Sequence, residues 1–139
     1  MVRKQVGLLS IAAILGLVAS ADAQTRSSTP TTPYDGTYRL VSAAKVNQMY
    51  TTKKGLMAQC PDRRPGPLHI AHGRARYTSA TGYRLRGGVN QQGQLAMRSS
   101  TPGISRPIDI NLNGIIDPNG TVRARQISNA CNYDFVWQR

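Results

Sequence analysis

The sequence predicts an all-β domain: a single antiparallel meander of about eight strands, forming a small closed or partly closed barrel with one disulfide. Three observations predict it. Apolar and polar residues alternate over short runs, two stretches of the chain repeat one hairpin pattern, and the only two cysteines lie far apart in the same region. A meander of this size removes its exposed strand edges most simply by closing on itself. A two-sheet sandwich has similar turn spacing and remains the alternative at this point.

Residues 1–23 have the layout of a signal peptide. Two basic residues precede an apolar run from Val6 to Ala21, and the small residues Ala21 and Ala23 form a cleavage site before Gln24. Cleavage two residues earlier, before Asp22, is the alternative. The run is shorter than the roughly 20 apolar residues that span a bilayer, so we expect no transmembrane segment after signal removal. These features predict an exported protein, periplasmic or extracellular.

Residues 24–33 are rich in Ser, Thr and Pro and have no apolar periodicity, so they are predicted to be a disordered lead-in. The β domain is predicted to cover residues 34–139. Only its segment 43–67 resists assignment, because it mixes a run that suits a strand or a short helix with a Lys-, Arg- and Pro-rich loop.

An internal repeat is the clearest sign of hairpins. The stretch from Leu85 to Leu95 aligns with the stretch from Leu112 to Val122. Each contains a four-residue turn that ends in glycine, at Gly93 and Gly120, where a left-handed residue completes the turn. A third, tighter hairpin is predicted at His72-Gly73, between two short alternating runs.

Alternation divides the predicted strands into a core face and an outer face. The predicted core contains Tyr38, Leu40, Leu68, Ile70, Ala75, Tyr77, Tyr83, Leu85, Val89, Leu95, Met97, Ile108, Ile110, Leu112, Cys131, Tyr133, Phe135 and Trp137. Most arginines of the strands fall on the outer face.

Cys60 and Cys131 are the only cysteines, and both follow the predicted signal peptide. An oxidising compartment favours their pairing, and only one pairing is available. The bond would close a loop of about 70 residues, which constrains the unfolded chain.

No catalytic residue, metal site or cofactor is predicted. His69 and His72 fall on opposite faces, the aspartates occupy turns and outer positions, and no serine lies in a strand-turn-helix context. A ligand site inside the barrel is an alternative function, although the chain has one tryptophan where a ring-walled pocket usually has several.

Several short motifs together resemble a group of small exported bacterial β-meander proteins. They are Asp35-Gly36-Thr37-Tyr38, Cys60 before the second strand, the Leu-x-Gly-x-Val/Ile runs Leu85–Val89 and Leu112–Ile116, and the Cys-x-aromatic-x-aromatic-x-Trp run Cys131–Trp137. The resemblance implies this fold and an exported location, and it brings no catalytic residue with it.

The formal net charge of +12 favours anionic partners. We expect a non-enzymatic envelope protein whose arginine-rich face contacts a polyanion or an acidic protein, through Arg74, Arg76, Arg84, Arg86, Arg98, Arg123 and Arg125. The first four are predicted to form one patch. An alternative is a periplasmic enzyme inhibitor, which is similar in size and layout. Nucleic acid is not expected, because the aromatic residues fall on the core face. The sequence leaves the oligomeric state open.

Overall fold

A computed structural model describes residues 31–102 and 107–139, so the predicted signal peptide and residues 24–30 lie outside the described residues. Every regular element in this part is a strand. The strands are β1 (Gly36–Lys45), β2 (Met49–Thr51), β3 (Met57–Gln59), β4 (Leu68–Ala71), β5 (Arg74–Thr78), β6 (Arg84–Val89), β7 (Gln94–Pro102), β8 (Pro107–Ile116), β9 (Thr121–Ile127) and β10 (Tyr133–Gln138).

Eight strands close into an antiparallel barrel in the order β1-β10-β9-β8-β7-β6-β5-β4. Strand β1 closes it by pairing with β4 through Gly36–Tyr38 and with β10 through Arg39–Lys45. All other barrel neighbours are consecutive in the chain. The predicted meander barrel is confirmed, and the sandwich alternative is wrong.

The core fills the barrel with the side chains that alternation predicts. Trp137, Tyr38 and Phe135 are the largest fully buried residues, and Trp137 makes edge contacts with the rings of Tyr77 and Phe135. Three predicted members, Leu40, Tyr83 and Val89, are only partly buried. Four core residues of the described part were not predicted: Cys60, Ile116, Val122 and Ala124. The side chain of Ile108 lies outside the described part.

The repeated hairpins share one turn geometry. Asn90 N–H donates to the Gln94 carbonyl and Gly93 N–H to the Asn90 carbonyl, and the turn from Asp117 to Gly120 has the same two bonds. Gly93 has φ +79° and Gly120 has φ +86°, so both predicted left-handed positions are confirmed. The turns Thr52–Gly55 and Ser79–Gly82 follow the same hydrogen-bond pattern, which the sequence analysis missed.

Asp35 fastens the tight His72-Gly73 turn to the start of β1. Its carboxylate accepts the N–H groups of His72 and Gly73 at 2.7 and 3.0 Å and the Thr32 hydroxyl at 2.7 Å. The hydrogen bond from the Thr32 hydroxyl contributes most to holding the pKa of Asp35 well below its usual range, and the bonds from Gly73 and His72 add to it. Thr32, two residues before the predicted boundary, therefore already contacts this cap.

This cap makes stability depend on acid pH. Because the folded pKa of Asp35 lies below its unfolded value of about 3.9, its contribution is present above that pH and is lost as the pH falls further. We expect Asp35→Asn to lower stability at neutral pH and to flatten the decline below about pH 4. Urea midpoints measured across that pH range check this. Parallel curves for the two proteins would contradict the role of the cap.

The segment that resisted assignment contains a second, two-stranded sheet. Strands β2 and β3 pair only with each other, and they lie between β1 and β4 in chain order. Asn47 ties this hairpin to the turn before β10, because its amide donates to the Ala130 carbonyl and its side-chain oxygen accepts the Asn132 N–H. Cys60, one residue after β3, forms the predicted disulfide with Cys131, with a Cα–Cα distance of 5.6 Å.

Candidate anion-binding face

Arginines occupy outward positions of neighbouring barrel strands. Pairing places Arg76 directly opposite Arg86, and Arg86 directly opposite Arg98. On the other side of Arg76 the facing residue is His69 of β4. Directly opposed side chains have Cβ atoms about 4.5–5.5 Å apart. A basic row therefore crosses β4, β5, β6 and β7.

Three of the seven proposed arginines are paired with aspartates. Arg98 lies 3.7 Å from Asp109, Arg123 contacts Asp117, and Arg125 forms a two-pronged pair with Asp134 at 2.7 and 2.9 Å. The hydrogen bond from Arg125 lowers the pKa of Asp134, and the same bond raises the pKa of Arg125. Arg123 and Arg125 are thus held by hydrogen bonds within the protein, whereas Arg98 has only the longer contact with Asp109.

The other four, Arg74, Arg76, Arg84 and Arg86, have no carboxylate within 4 Å among residues 31–102 and 107–139. All five aspartates of that part have other partners. Three are the aspartates paired above. Of the remaining two, Asp62 contacts Lys45 at 3.1 Å, and Asp35 accepts backbone N–H groups. The structure thus divides the predicted face into a paired half and an unneutralised half.

A groove lies within the unneutralised half. It has a volume of about 340 Å³, and its lining is Gly66, Pro67, His69, Arg76, Tyr77, Thr78, Arg84, Leu85 and Arg86. The loop before β4 contributes Gly66 and Pro67, and strands β5 and β6 supply the three arginines. Arg74 is not among the lining residues, so we restrict the groove cations to Arg76, Arg84 and Arg86.

The loop that contributes to the groove is fixed by the core. The Trp137 indole N–H donates to the Gly66 carbonyl at 3.1 Å, and Gly66 N–H donates to the Thr78 carbonyl at 3.2 Å. At the β4 side, His69 Nδ1 lies 3.1 Å from the Thr37 hydroxyl. Arg76, Arg84 and Arg86 therefore border a groove that has one wall fixed by hydrogen bonds, an arrangement that suits an anion with several oxygens.

A separate pocket of about 370 Å³ lies at the end of the barrel next to the disulfide. Its lining includes Tyr50, Tyr83, Tyr133, Arg63 and Gln126. The buried Tyr77 hydroxyl donates to the side-chain oxygen of Gln126, and burial raises the pKa of Tyr77. No local pattern predicts that Arg63 and Gln126 share a pocket, since their proximity depends on the path of residues 60–67.

Within the described ranges, no cluster of three or more His, Cys, Asp or Glu side chains could hold a metal ion. His69 lies on β4 and His72 lies in the turn that follows it. In the same part of the chain, no helix is long and apolar enough to cross a membrane.

Sequence reasoning located the arginines and missed what distinguishes them. The alternation that groups Arg76 and Arg86 on one face also places His69 of the preceding strand there, so His69 could have been predicted as their neighbour. The ion pairs and the groove wall at Gly66 and Pro67 could not be predicted, because they depend on strand register and on the path of a loop. Comparison of the chain with protein-family models, with curated proteins and with solved structures finds no match.

Proposed function

We propose that this protein is a non-enzymatic binding domain of the cell envelope that holds a phosphorylated polyanion against its arginine groove. The observation that carries the proposal is the presence of Arg76, Arg84 and Arg86 on one groove without a carboxylate partner among the described residues. Each other arginine of the proposed set, apart from Arg74, has an aspartate beside it.

Like charges on opposed positions cost free energy, so the fold is stabilised when an anion lies between them. Guanidinium groups suit phosphate because each presents a planar fork of donors to two oxygens. The groove accepts a headgroup-sized anion, and Arg74, two residues before Arg76 on β5, extends the contact along a polymer or a phosphorylated glycolipid such as lipid A. An acidic protein is a less suitable partner, because single carboxylates use fewer of these donors.

The arrangement of rings argues against nucleic acid as the partner. Single-strand binding uses exposed aromatic side chains as stacking surfaces beside the cations. Here Tyr77, Phe135 and Trp137 are buried inside the barrel, whereas the arginines lie outside. The groove therefore offers phosphate contacts without a stacking platform.

Two matched variants test the proposal. Arg76, Arg84 and Arg86 changed together to Gln empty the groove of guanidinium groups, whereas Arg98, Arg123 and Arg125 changed to Gln remove the same charge from the paired half. Affinity for immobilised polyphosphate is expected to fall at least about tenfold in the first variant, given charge-assisted hydrogen bonds of about 1.5–3 kcal/mol each. The second variant should lose much less. Equal losses would show that net charge alone accounts for binding.

The pocket beside the disulfide favours a second candidate function, binding of a small organic anion. Arg63 is partly buried there and has no carboxylate within 4 Å in the described part of the chain, and three tyrosine rings share the lining. A planar carboxylate fits this chemistry. In a titration with 4-hydroxybenzoate, Arg63→Gln should abolish saturable binding, and the exposed neighbour Arg64→Gln should not. Identical binding by both variants would reject this function.

A further inference from the structure

Exposed apolar side chains are concentrated on and beside the β2–β3 hairpin. The described part has seven large hydrophobic residues that are exposed: Val41, Val46, Met49, Leu56, Met57, Ile115 and Ile127. Five of the seven belong to the short stretch 41–57. Leu56 and Met57 are the most exposed, at 64% and 61%. Scattered apolar residues are ordinary on protein surfaces, but a local concentration indicates an interaction site.

The two faces of the hairpin differ. In the β2–β3 pairing, Tyr50 lies opposite Ala58, and both are half-buried; Tyr50 packs against the barrel core. The alternate positions are exposed, so they point away from the barrel; they are Met49, Thr51, Met57 and Gln59. Leu56 precedes Met57 at the turn. The outer face and the tip therefore present three long apolar side chains to the surroundings.

The hairpin tip is also cationic. Lys53 and Lys54 occupy the two central positions of the turn Thr52–Gly55, and both are exposed. Neither has a carboxylate within 4 Å among the described residues. The run from Ala43 to Gln59 contains no acidic residue. Two cationic and two apolar side chains thus lie within five consecutive positions of the hairpin, from Lys53 to Met57.

The exposure is built into a fixed structure. The disulfide at Cys60 holds the end of the hairpin, Cys60 N–H donates to the Gln48 carbonyl at 2.8 Å, and Asn47 anchors its start. The barrel closes without these two strands. The hairpin is therefore an addition to the barrel whose apolar outer face is held away from the core.

We propose that the β2–β3 hairpin is a membrane-contact element, which inserts Met49, Leu56 and Met57 into the surface of an anionic bilayer while Lys53 and Lys54 contact lipid phosphates. Apolar insertion and attraction between cations and anionic lipids act together at such surfaces. A second copy of the chain is a poorer occupant, because two-fold packing of the hairpin on itself would bring four lysines together. The proposal uses none of the groove arginines and goes beyond the proposed function.

Co-sedimentation with vesicles tests the proposal. One set contains phosphatidylcholine alone, and the other contains phosphatidylcholine mixed with phosphatidylglycerol. We expect binding to the mixed vesicles that persists in part at high salt, where attraction of the exposed cations is screened. Changing Met49, Leu56 and Met57 together to Ser should weaken the salt-resistant part roughly tenfold, because insertion strength follows buried apolar area.

Two controls separate the hairpin from other surfaces. Ile115→Ser with Ile127→Ser removes exposed apolar residues elsewhere on the barrel and should leave vesicle binding unchanged. The triple Gln variant of the groove arginines should keep the salt-resistant binding to vesicles, so failure of the groove proposal is distinguishable from failure of this one. Equal loss in the two Ser variants would overturn the proposal. So would binding that disappears entirely at high salt, or a dimer in solution that the hairpin variant abolishes.

Discussion

Replacing Cys60 and Cys131 together by Ala is expected to lower the free energy of unfolding by about 2–5 kcal/mol. The bond joins positions 71 residues apart, so it removes many conformations from the unfolded chain. Both cysteines are also buried, at 2% and 7% exposure, and their bond joins the β2–β3 hairpin to the segment just before β10. Denaturant unfolding of the parent and the variant measures the loss.

Asn47→Ala provides a comparison for the same region. It removes the amide that holds the hairpin against residues 130 and 132 while the disulfide stays in place. The loss should be smaller, since ordinary hydrogen bonds contribute about 0.5–1.5 kcal/mol each. If the double cysteine variant unfolded at the same denaturant concentration as the parent, the disulfide would have no stabilising role in the barrel.

Gly87→Ala is expected to destabilise the barrel by about 1–3 kcal/mol or more, as overpacking does when the neighbour cannot move. A Cβ at this position would lie 1.8 Å from the Ala96 carbonyl oxygen and 2.6 Å from the Met97 Cα, both backbone atoms of β7. Strands β6 and β7 would have to separate to admit it. Thermal unfolding of the purified variant measures the effect.

The adjacent glycine supplies the control. A Cβ at Gly88 would meet its nearest atom, the Gly73 carbonyl oxygen, at 3.3 Å, so Gly88→Ala should cost much less. Gly114 holds the equivalent position in the second copy of the repeat, where a Cβ would lie 2.4 Å from the Arg123 carbonyl oxygen. Similar melting temperatures for Gly87→Ala and Gly88→Ala would contradict the close approach of β6 and β7.

The sequence repeat predicted the hairpins, but it did not explain its repeated spacing of leucine and glycine. Leu85 and Leu112 point into the core, and at the glycine two residues later the next strand comes too close for a side chain. Alternation and turn chemistry are local signals, so they predicted the hairpins and most of the core. Closure of the barrel by β1 against β4 and β10 is a long-range pairing, and no local pattern separates it from a sandwich.

The segment 43–67 could not be predicted for a related reason. Strands β2 and β3 have three residues each, which is too short for alternation to show. Their exposed face carries Met49 and Met57, so the apolar pattern points outward there and gives no core signal. The turn Thr52–Gly55 does match the polar-x-x-Gly pattern of the repeated hairpins, and that similarity is the signal that could have located the hairpin.

The division of the arginines depends on strand register. Arg125 meets Asp134 because β9 and β10 pair at that position, and Arg123 reaches back to Asp117 across one turn. Counting charges along the chain shows only an excess of cations. Among the described residues, the strand pairing decides which arginines have no carboxylate nearby, and it brings Arg76, Arg84 and Arg86 to one groove. Export, the signal peptide and the envelope location stay predictions from the sequence.

Anion binding at Arg76, Arg84 and Arg86, rather than over the whole basic surface, can be measured by NMR. The side-chain Nε–H resonances of the arginines are followed while the full chain is titrated with inorganic pyrophosphate. We predict saturable shifts at these three arginines, while Arg123 and Arg125 stay at their starting positions because aspartates hold them. Shifts of similar size at all the exposed arginines, without saturation, would contradict the account.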